Sequence, residues 1–210
     1  MTTFRLVTFA LASTLFGCEP RIEEPVPPSR DVRPDVASSP DKAAPTVPVK
    51  PARCVFPTPD KPMRTLAHPG PDPNCPADPE VPPNLRSGKV RFVGAKDKPV
   101  EIVAEVAERP RDRARGLMFR TNMPEDHGMI FVFNEQPEVH EFWMRNTCIP
   151  LDMLFVDRDG VIVGIVENIP TMNDSTYSVP CPSSYVIEVN AGYCRRHGIV
   201  AGQKIQLDGV

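Results

Sequence analysis

The sequence lacks several features that would assign a function directly. Its 24 basic and 27 acidic residues leave a formal net charge of −3. Because that balance gives no basic field for a phosphate backbone, nucleic acid is not an expected partner. No stretch reaches the roughly 20 apolar residues that a membrane-spanning helix needs. Ser-His-Asp arrangements, phosphate-binding glycine loops and His-Glu-x-x-His strings are missing too. These absences make an enzyme less expected without excluding one, and no cofactor or metal is expected.

Proline, in contrast, is abundant, and it is concentrated in one part of the chain. Nineteen of the 27 prolines lie in residues 19–87. Since proline fixes φ and removes a backbone donor, neither a helix nor a sheet interior is expected there. We predict that residues 18–87 form an extended, polyproline-like tether that reaches on the order of 200 Å. The folded domain is then expected at residues 88–210.

The N-terminal residues 1–17 have the pattern of a signal peptide, with a short apolar run after Arg5. The run ends in Leu15-Phe16-Gly17-Cys18, which resembles the lipobox of bacterial lipoproteins. We therefore expect lipidation of Cys18. Each buried lipid methylene contributes about 0.8 kcal/mol of membrane binding, so the acyl chains would hold the protein on a bilayer. The membrane would then be one partner. The expected location is the bacterial cell envelope, periplasmic or at the cell surface, with the outer membrane favoured. An ordinary cleaved signal in which Cys18 is incidental, or an uncleaved anchor, is the alternative.

The folded domain is predicted to be α+β and mainly β, a compact, barrel-like sheet with two short helices. A first helix is expected at 108–118, with Gly116 allowing its end to approach a strand. A second is expected to be capped by Asn190. Residues 168–183 are expected to form a long loop. Alternating apolar residues predict strands at 89–93, 100–107, 129–133, 141–145, 151–157, 161–167, 185–189 and 203–207.

Several sequence blocks resemble one family. They are Arg113-Ala-Arg-Gly-Leu-Met-Phe-Arg120, Gly128-Met-Ile-Phe-Val-Phe133, Phe142-Trp-Met-Arg-Asn-Thr147, Ile149-Pro-Leu-Asp-Met153 and Tyr185-Val-Ile-Glu-Val-Asn-Ala-Gly192. Together with Gly202, they are similar to the domain of unknown function 192 (DUF192) family. The resemblance implies a small, mainly β domain of secreted or lipid-anchored proteins, with no established activity.

Polar residues set within those blocks are the candidates for a binding site, because charges beside bulky apolar residues are costly unless paired or used. Trp143 beside Arg145 could offer an aromatic platform next to a forked donor. In the alternative interpretation, Arg145 pairs with Asp152 or Glu188 inside the fold and Trp143 fills the core. The predicted binding residues are Arg115, Trp143, Arg145, Asn146 and Asp152, and Glu167 and Glu188 share the same pattern.

The cysteines give a second prediction. Lipidation of Cys18 would leave five of the six cysteines. In an oxidising compartment we expect two disulfides, Cys54 with Cys75 and Cys148 with Cys181. The fifth cysteine, Cys194, precedes three residues, Arg195-Arg-His197, whose positive charge would favour a thiolate.

Three functions therefore stay open. The leading hypothesis is an envelope module that binds an unknown envelope ligand or protein. A thiol-dependent enzyme or redox protein that uses Cys194 is the second, although a free cysteine is commonly a small buried hydrophobe. The third is a structural spacer. Copper binding by methionines is disfavoured, since His140 and Met144 would lie about 13 Å apart on a strand.

Overall fold

The computed structural model describes residues 52–66, 70–95 and 99–210 of the chain. The predicted signal peptide, Cys18 and the first part of the predicted tether lie outside the described residues. The described residues belong to one unit, Lys50–Val210. Among them, no helix has both the length and the apolar character needed to cross a membrane.

Nine strands and two short helices occur in the described residues; the alternating pattern predicted both helices and every strand except the seventh. The helices are α1 (Pro110–Arg115) and α2 (Tyr193–His197). The strands are β1 (Ser87–Phe92), β2 (Val100–Ala107), β3 (His127–Val132), β4 (Phe142–Met144), β5 (Leu151–Val156), β6 (Ile162–Ile169), β7 (Asn173–Tyr177), β8 (Tyr185–Asn190) and β9 (Ile205–Asp208).

Seven strands form one sheet in the order β6-β5-β8-β3-β2-β1-β9, and β4 pairs with β7 in a separate two-stranded sheet. Only β2 and β3 are parallel neighbours in the large sheet. Its two edges meet at one end, where Val161 bridges Lys204 and the Ile162 N–H donates to the Gln203 carbonyl at 2.9 Å. The prediction of a mainly β, barrel-like domain with two short helices is confirmed: the sheet is a half-barrel.

Each face of the large sheet carries its own apolar core, because side chains alternate along a strand. The first core cluster draws on all seven strands and on α2, and includes Ile130, Leu154 and Ile187. The second core cluster lies on the other face and includes Phe131 and Phe155. Strand β5 is buried at all six positions because it contributes to both clusters.

Three local predictions meet different outcomes. Gly116 does end α1, at φ +49°, and a Cβ there would lie 3.3 Å from the Phe131 ring, so the predicted close approach is confirmed. The predicted loop 168–183 contains β7, whose sequence Asn-Asp-Ser-Thr-Tyr has no apolar alternation. Asn190 does not cap α2: the cap is Gly192, and the Asn190 amide donates to the Met123 carbonyl at 3.0 Å.

The second half of the predicted tether lies along the domain. We call residues 52–66 and 70–86 the strap. The Phe56 N–H donates to the Val163 carbonyl at 2.7 Å, and the Asp72 N–H donates to the Cys148 carbonyl at 2.7 Å. The prediction of an extended tether is therefore wrong for this part of the chain, because backbone donors and acceptors of the domain bind it.

Two disulfides fasten the strap, and their pairing corrects the prediction. Cys54 is bonded to Cys181 and Cys75 to Cys148. All four cysteines are thus in disulfides, as expected, but each strap cysteine pairs with a domain cysteine because the strap runs past both loops. The sequence separations are 127 and 73 residues. In the chain-entropy model, loops of this length stabilise by about 4–5 kcal/mol each.

Candidate functional site

Asp152 is fully buried and belongs to the architecture of the fold. Its carboxylate accepts three backbone N–H groups, from Asn168 at 2.9 Å, Gly192 at 3.1 Å and Cys194 at 3.0 Å. Burial raises the pKa of Asp152, and the three donors oppose that rise. Asp152 therefore joins the end of β6 to the start of α2, and it is not available to a ligand.

Trp143 and Arg145 lie on the surface, so the alternative that buried them is wrong. Trp143 is 46% exposed on β4. The Arg145 guanidinium lies 4.4 Å from the centroid of the Trp143 ring, and its Nε donates to Asp174 Oδ1 at 2.8 Å. Because β4 pairs with β7, Asp174 comes from the neighbouring strand. Trp143 and Arg145 therefore lie together on the surface, and their role in binding stays a prediction.

Arg115 and Asn146 are connected through Phe119. The Arg115 guanidinium lies 4.5 Å from the centroid of the Phe119 ring and pairs with Asp78 of the strap. The Phe119 N–H donates to the Asn146 carbonyl at 2.7 Å. Both Phe119 and Asn146 have positive φ, at 66° and 54°. Arg115 therefore contacts both a turn and the strap, and the backbone of Asn146 fixes that turn.

Cys194 is buried and free of disulfides, and the predicted activation of its thiol is wrong. Burial raises the pKa of the thiol well above its usual value, and the carboxylates of Asp152 and Glu167 raise it further. The cations after it do not compensate, because Arg195 and Arg196 are paired with Glu167 and Glu125. This environment disfavours the thiolate, which is the nucleophilic form of cysteine.

Two buried glutamates complete the polar residues that the sequence indicated. Glu188 is 4% exposed, and burial raises its pKa to about 8. Glu167 pairs with Arg195 at 2.7 Å through Oε2, while its Oε1 has no hydrogen-bond partner among the described residues. Arg195 Nε is likewise buried without a partner among these residues, so both unpartnered atoms belong to the one Glu167–Arg195 ion pair.

A cavity of about 230 Å³ borders Glu167 and was not foreseen from the sequence. One side comes from the strap, including Phe56, Met63 and Arg64, and the other comes from the region of β6 and β7. The apolar pair Val55-Phe56 directly after Cys54 was the signal that could have indicated a docked segment. No group of three or more His, Cys, Asp or Glu suited to a metal occurs within residues 52–66, 70–95 and 99–210.

Comparison with known proteins identifies the family and no activity. The model of the family DUF192, described as Uncharacterized ACR, matches residues 92–207. A structure described as a putative transcription regulator from Sinorhizobium meliloti 1021 is 35% identical, with a TM-score of 0.58, and the match covers 60% of this chain and 98% of that one. A protein of unknown function from Novosphingobium aromaticivorans DSM 12444 is 36% identical, with a TM-score of 0.56, and the match covers 62% of this chain and 93% of that one. A search of curated proteins found no match.

Proposed function

Because the chain belongs to the uncharacterised DUF192 family, we propose its function from its own geometry. The protein is a noncatalytic module of the bacterial cell envelope, anchored to the membrane through lipidated Cys18. It binds a protein partner through the β4–β7 surface, which we define as Trp143, Arg145, Met172 and Asp174.

The arrangement of Trp143 carries this proposal. A tryptophan that is nearly half exposed presents a large apolar area to water. Tryptophan and arginine are the residue types that most often dominate binding energy at protein interfaces. Here Arg145 covers the ring, and Asp174 holds Arg145. Because these contacts already restrict the Trp143 and Arg145 side chains, binding a partner would cost them less conformational entropy.

The apolar area extends beyond the tryptophan. Met172 is 37% exposed and directly precedes Asn173, which pairs with Met144 across the two strands. Methionine adapts its shape to different neighbours, which suits a contact surface. The β4–β7 surface thus combines one rigid aromatic residue, one flexible apolar residue and one ion pair, which is the composition of a small interface centre.

The envelope location is supported by the two disulfides. Disulfides that fasten a strap across 127 and 73 residues persist only in an oxidising compartment. Export through the predicted signal peptide would supply that compartment, and Cys18 would supply the anchor. Because the strap is fixed to the domain, at most residues 18–51 are left as a tether, which corresponds to a reach of about 100 Å if extended. The partner is then a protein of the same compartment.

Site-specific crosslinking tests partner binding. A photo-reactive phenylalanine analogue at position 143 should capture an envelope protein in living cells, and Arg145→Ala should abolish the capture. The matched control places the analogue at Val200, which is 42% exposed in the connection between α2 and β9. Equal crosslinking from both positions, or none from position 143, would contradict the proposal. If position 143 captures nothing and the role of the protein depends on the length of residues 19–51, the structural-spacer hypothesis is favoured.

Fractionation tests the anchor. Cys18→Ser should move the protein from the membrane fraction to the soluble envelope fraction, because the acyl chains are lost. Cys194→Ser is the control and should stay with the membrane. If the Cys18→Ser protein also stays there, lipidation of Cys18 is not what attaches the chain.

A further inference from the structure

We propose that the Cys54–Cys181 disulfide is a redox-sensitive latch, and that its reduction by a dithiol releases strap residues 52–66 while the domain stays folded. The released residues would lengthen the tether and uncover the side of β6 that they contact. The latch itself rests on contacts of the strap and the domain, whereas its effect on reach rests on the proposed anchor at Cys18.

The two disulfides differ in exposure. Cys54 is exposed on the strap, whereas its partner Cys181 is only 1% exposed. In the second disulfide, Cys75 is half-buried and Cys148 is fully buried. Thiol–disulfide exchange requires access of the attacking thiolate to a sulfur atom. The Cys54–Cys181 bond therefore offers the more open target, on its Cys54 side.

Reduction of the latch consumes one dithiol. A thiolate of the dithiol attacks Cys54 Sγ, the bond to Cys181 breaks, and Cys181 leaves as a thiolate that takes up a proton. The second thiol then attacks the mixed disulfide, which releases Cys54 as a thiol and oxidises the dithiol to a disulfide. The chain thus gains the two electrons and two protons that the dithiol loses.

Residues 52–66 lie on the surface and contribute nothing to the cores. None of their side chains belongs to either core cluster, whose buried members all lie within residues 90–205. Phe56 and Met63 are 39% and 74% exposed. The family model, moreover, begins only at residue 92. Because stability within a protein depends on local burial, this segment can detach while both cores stay intact.

Hydrogen bonds at the surface hold this part of the strap beside the disulfide. The Phe56 N–H donates to the Val163 carbonyl at 2.7 Å. The Arg195 guanidinium donates to the carbonyls of Pro59 and Asp60 at 2.7 and 2.6 Å. Water can replace exposed hydrogen bonds at little net cost. The disulfide is therefore the main restraint on the segment.

Release of the segment leaves no buried charge without a partner in these contacts. Arg195 keeps its ion pair with Glu167 after the strap carbonyls leave. Arg53 of the strap pairs with Asp157 and Asp159. Asp157 still accepts the backbone N–H of Asp159 when Arg53 leaves. The domain therefore needs no rearrangement to lose the segment.

The open latch changes both reach and surface. Residues 54–66 would join the tether and add about 40 Å if extended. The cavity of about 230 Å³ would lose its strap wall, which includes Phe56 and Met63. Its other wall, with Ile165 and Tyr177, would then face water. The redox state of one bond would thus set how far the domain stands from the membrane and which face it presents.

Graded reduction of the full, oxidised chain with dithiothreitol, followed by alkylation with N-ethylmaleimide, tests the order of opening. Mass spectrometry should find Cys54 and Cys181 modified at a reductant concentration at least about tenfold below that which opens Cys75–Cys148. Cys194 is buried and free, so its modification reports unfolding of the domain in the same spectrum. Simultaneous opening of both disulfides, or modification of Cys194 together with Cys54, would overturn the proposal.

Hydrogen exchange of the Phe56 amide, followed by NMR, tests the release. In the full chain with Cys54→Ser and Cys181→Ser, this amide should exchange at least about tenfold faster than in the wild-type protein, because its acceptor is lost. The amides of β5 should not change. The matched control combines Cys75→Ser with Cys148→Ser and should keep the Phe56 amide protected.

Three results of the exchange experiment would each overturn the latch: unchanged exchange at Phe56, the same acceleration in both double variants, or faster exchange throughout β5. Neither the exchange nor the graded reduction requires lipidated Cys18 or Trp143. The latch and the proposed function can therefore fail separately.

Discussion

Two buried acids on neighbouring strands of the half-barrel have opposite environments. Asp152 on β5 faces the first core cluster, and Glu188 on β8 faces the second. Asp152 accepts three backbone N–H groups. Glu188 lies between Met129 and Met153 in the strand register, and no described side chain forms an ion pair with it. Burial alone therefore does not determine the role of an acidic side chain. The hydrogen-bond donors around its carboxylate determine that role.

The difference sets the charge of each group. The three donors around Asp152 oppose the rise of its pKa and make it part of the backbone hydrogen-bond network. For Glu188, burial is the only cause of the shift, and it raises the pKa to about 8. Glu188 is then mostly protonated at neutral pH. Asp152 therefore contributes hydrogen bonds to its face of the sheet, whereas ionisation of Glu188 destabilises the other face.

Removal of the Asp152 carboxylate should have the largest effect. Asp152→Ala leaves the N–H groups of Asn168, Gly192 and Cys194 buried without acceptors. We expect the free energy of unfolding to fall by about 3–5 kcal/mol, measured by urea denaturation. Asp152→Asn keeps one acceptor oxygen and should lose less. A fall below about 1 kcal/mol for Asp152→Ala would show that other groups satisfy these donors.

Neutralisation of Glu188 should raise the free energy of unfolding instead of lowering it, and only at high pH. Glu188→Gln keeps the size of the side chain and cannot ionise. At pH 9 we expect it to stabilise the domain by about 2–4 kcal/mol, and at pH 4 to change the free energy of unfolding by less than about 1 kcal/mol. Denaturation at both pH values measures the difference. Glu101→Gln, at a partly exposed acid whose pKa is lowered by Lys89 and Arg91, is the control and should not stabilise at pH 9.

The direction of this pH dependence follows from proton linkage. The raised folded-state pKa lets Glu188 stay protonated after the unfolded chain has ionised near pH 4.5. Its contribution to stability is thus fully present below that pH and is lost as pH rises toward about 8. A wild-type protein whose stability does not decline relative to Glu188→Gln over this interval would contradict the assigned environment.

Substitution of Cys194 should have the smallest effect on the free energy of unfolding. It tests the face of the sheet on which Asp152 lies. Cys194→Ala should cost about 1 kcal/mol, because it removes a small buried side chain. Iodoacetamide should label the native thiol only as fast as the domain opens, even at pH 8.5, and Asp152→Ala should speed labelling. Mass spectrometry would follow the reaction. Rapid labelling of the wild-type protein at pH 7 would restore the thiolate hypothesis.

Much of the fold could be predicted because strands buried on one or both faces carry an apolar pattern, as β2, β5 and β8 do. Strand β7 could not be predicted, since its polar residues pair only with β4. Trp143 and Arg145 were identified as a pair from their positions in the sequence. Their exposure was not predictable, because a short strand outside the main sheet leaves one of its faces open.

The sequence by itself determined the family, the mainly β, barrel-like class of the domain, the end of α1 at Gly116 and the presence of disulfides, because these depend on local pattern, glycine geometry and residue type. Only the tertiary structure decided which cysteines pair, where the strap lies, and which buried acid has donors. Those features depend on distances between residues that are up to 127 positions apart along the chain, and no local pattern encodes such distances.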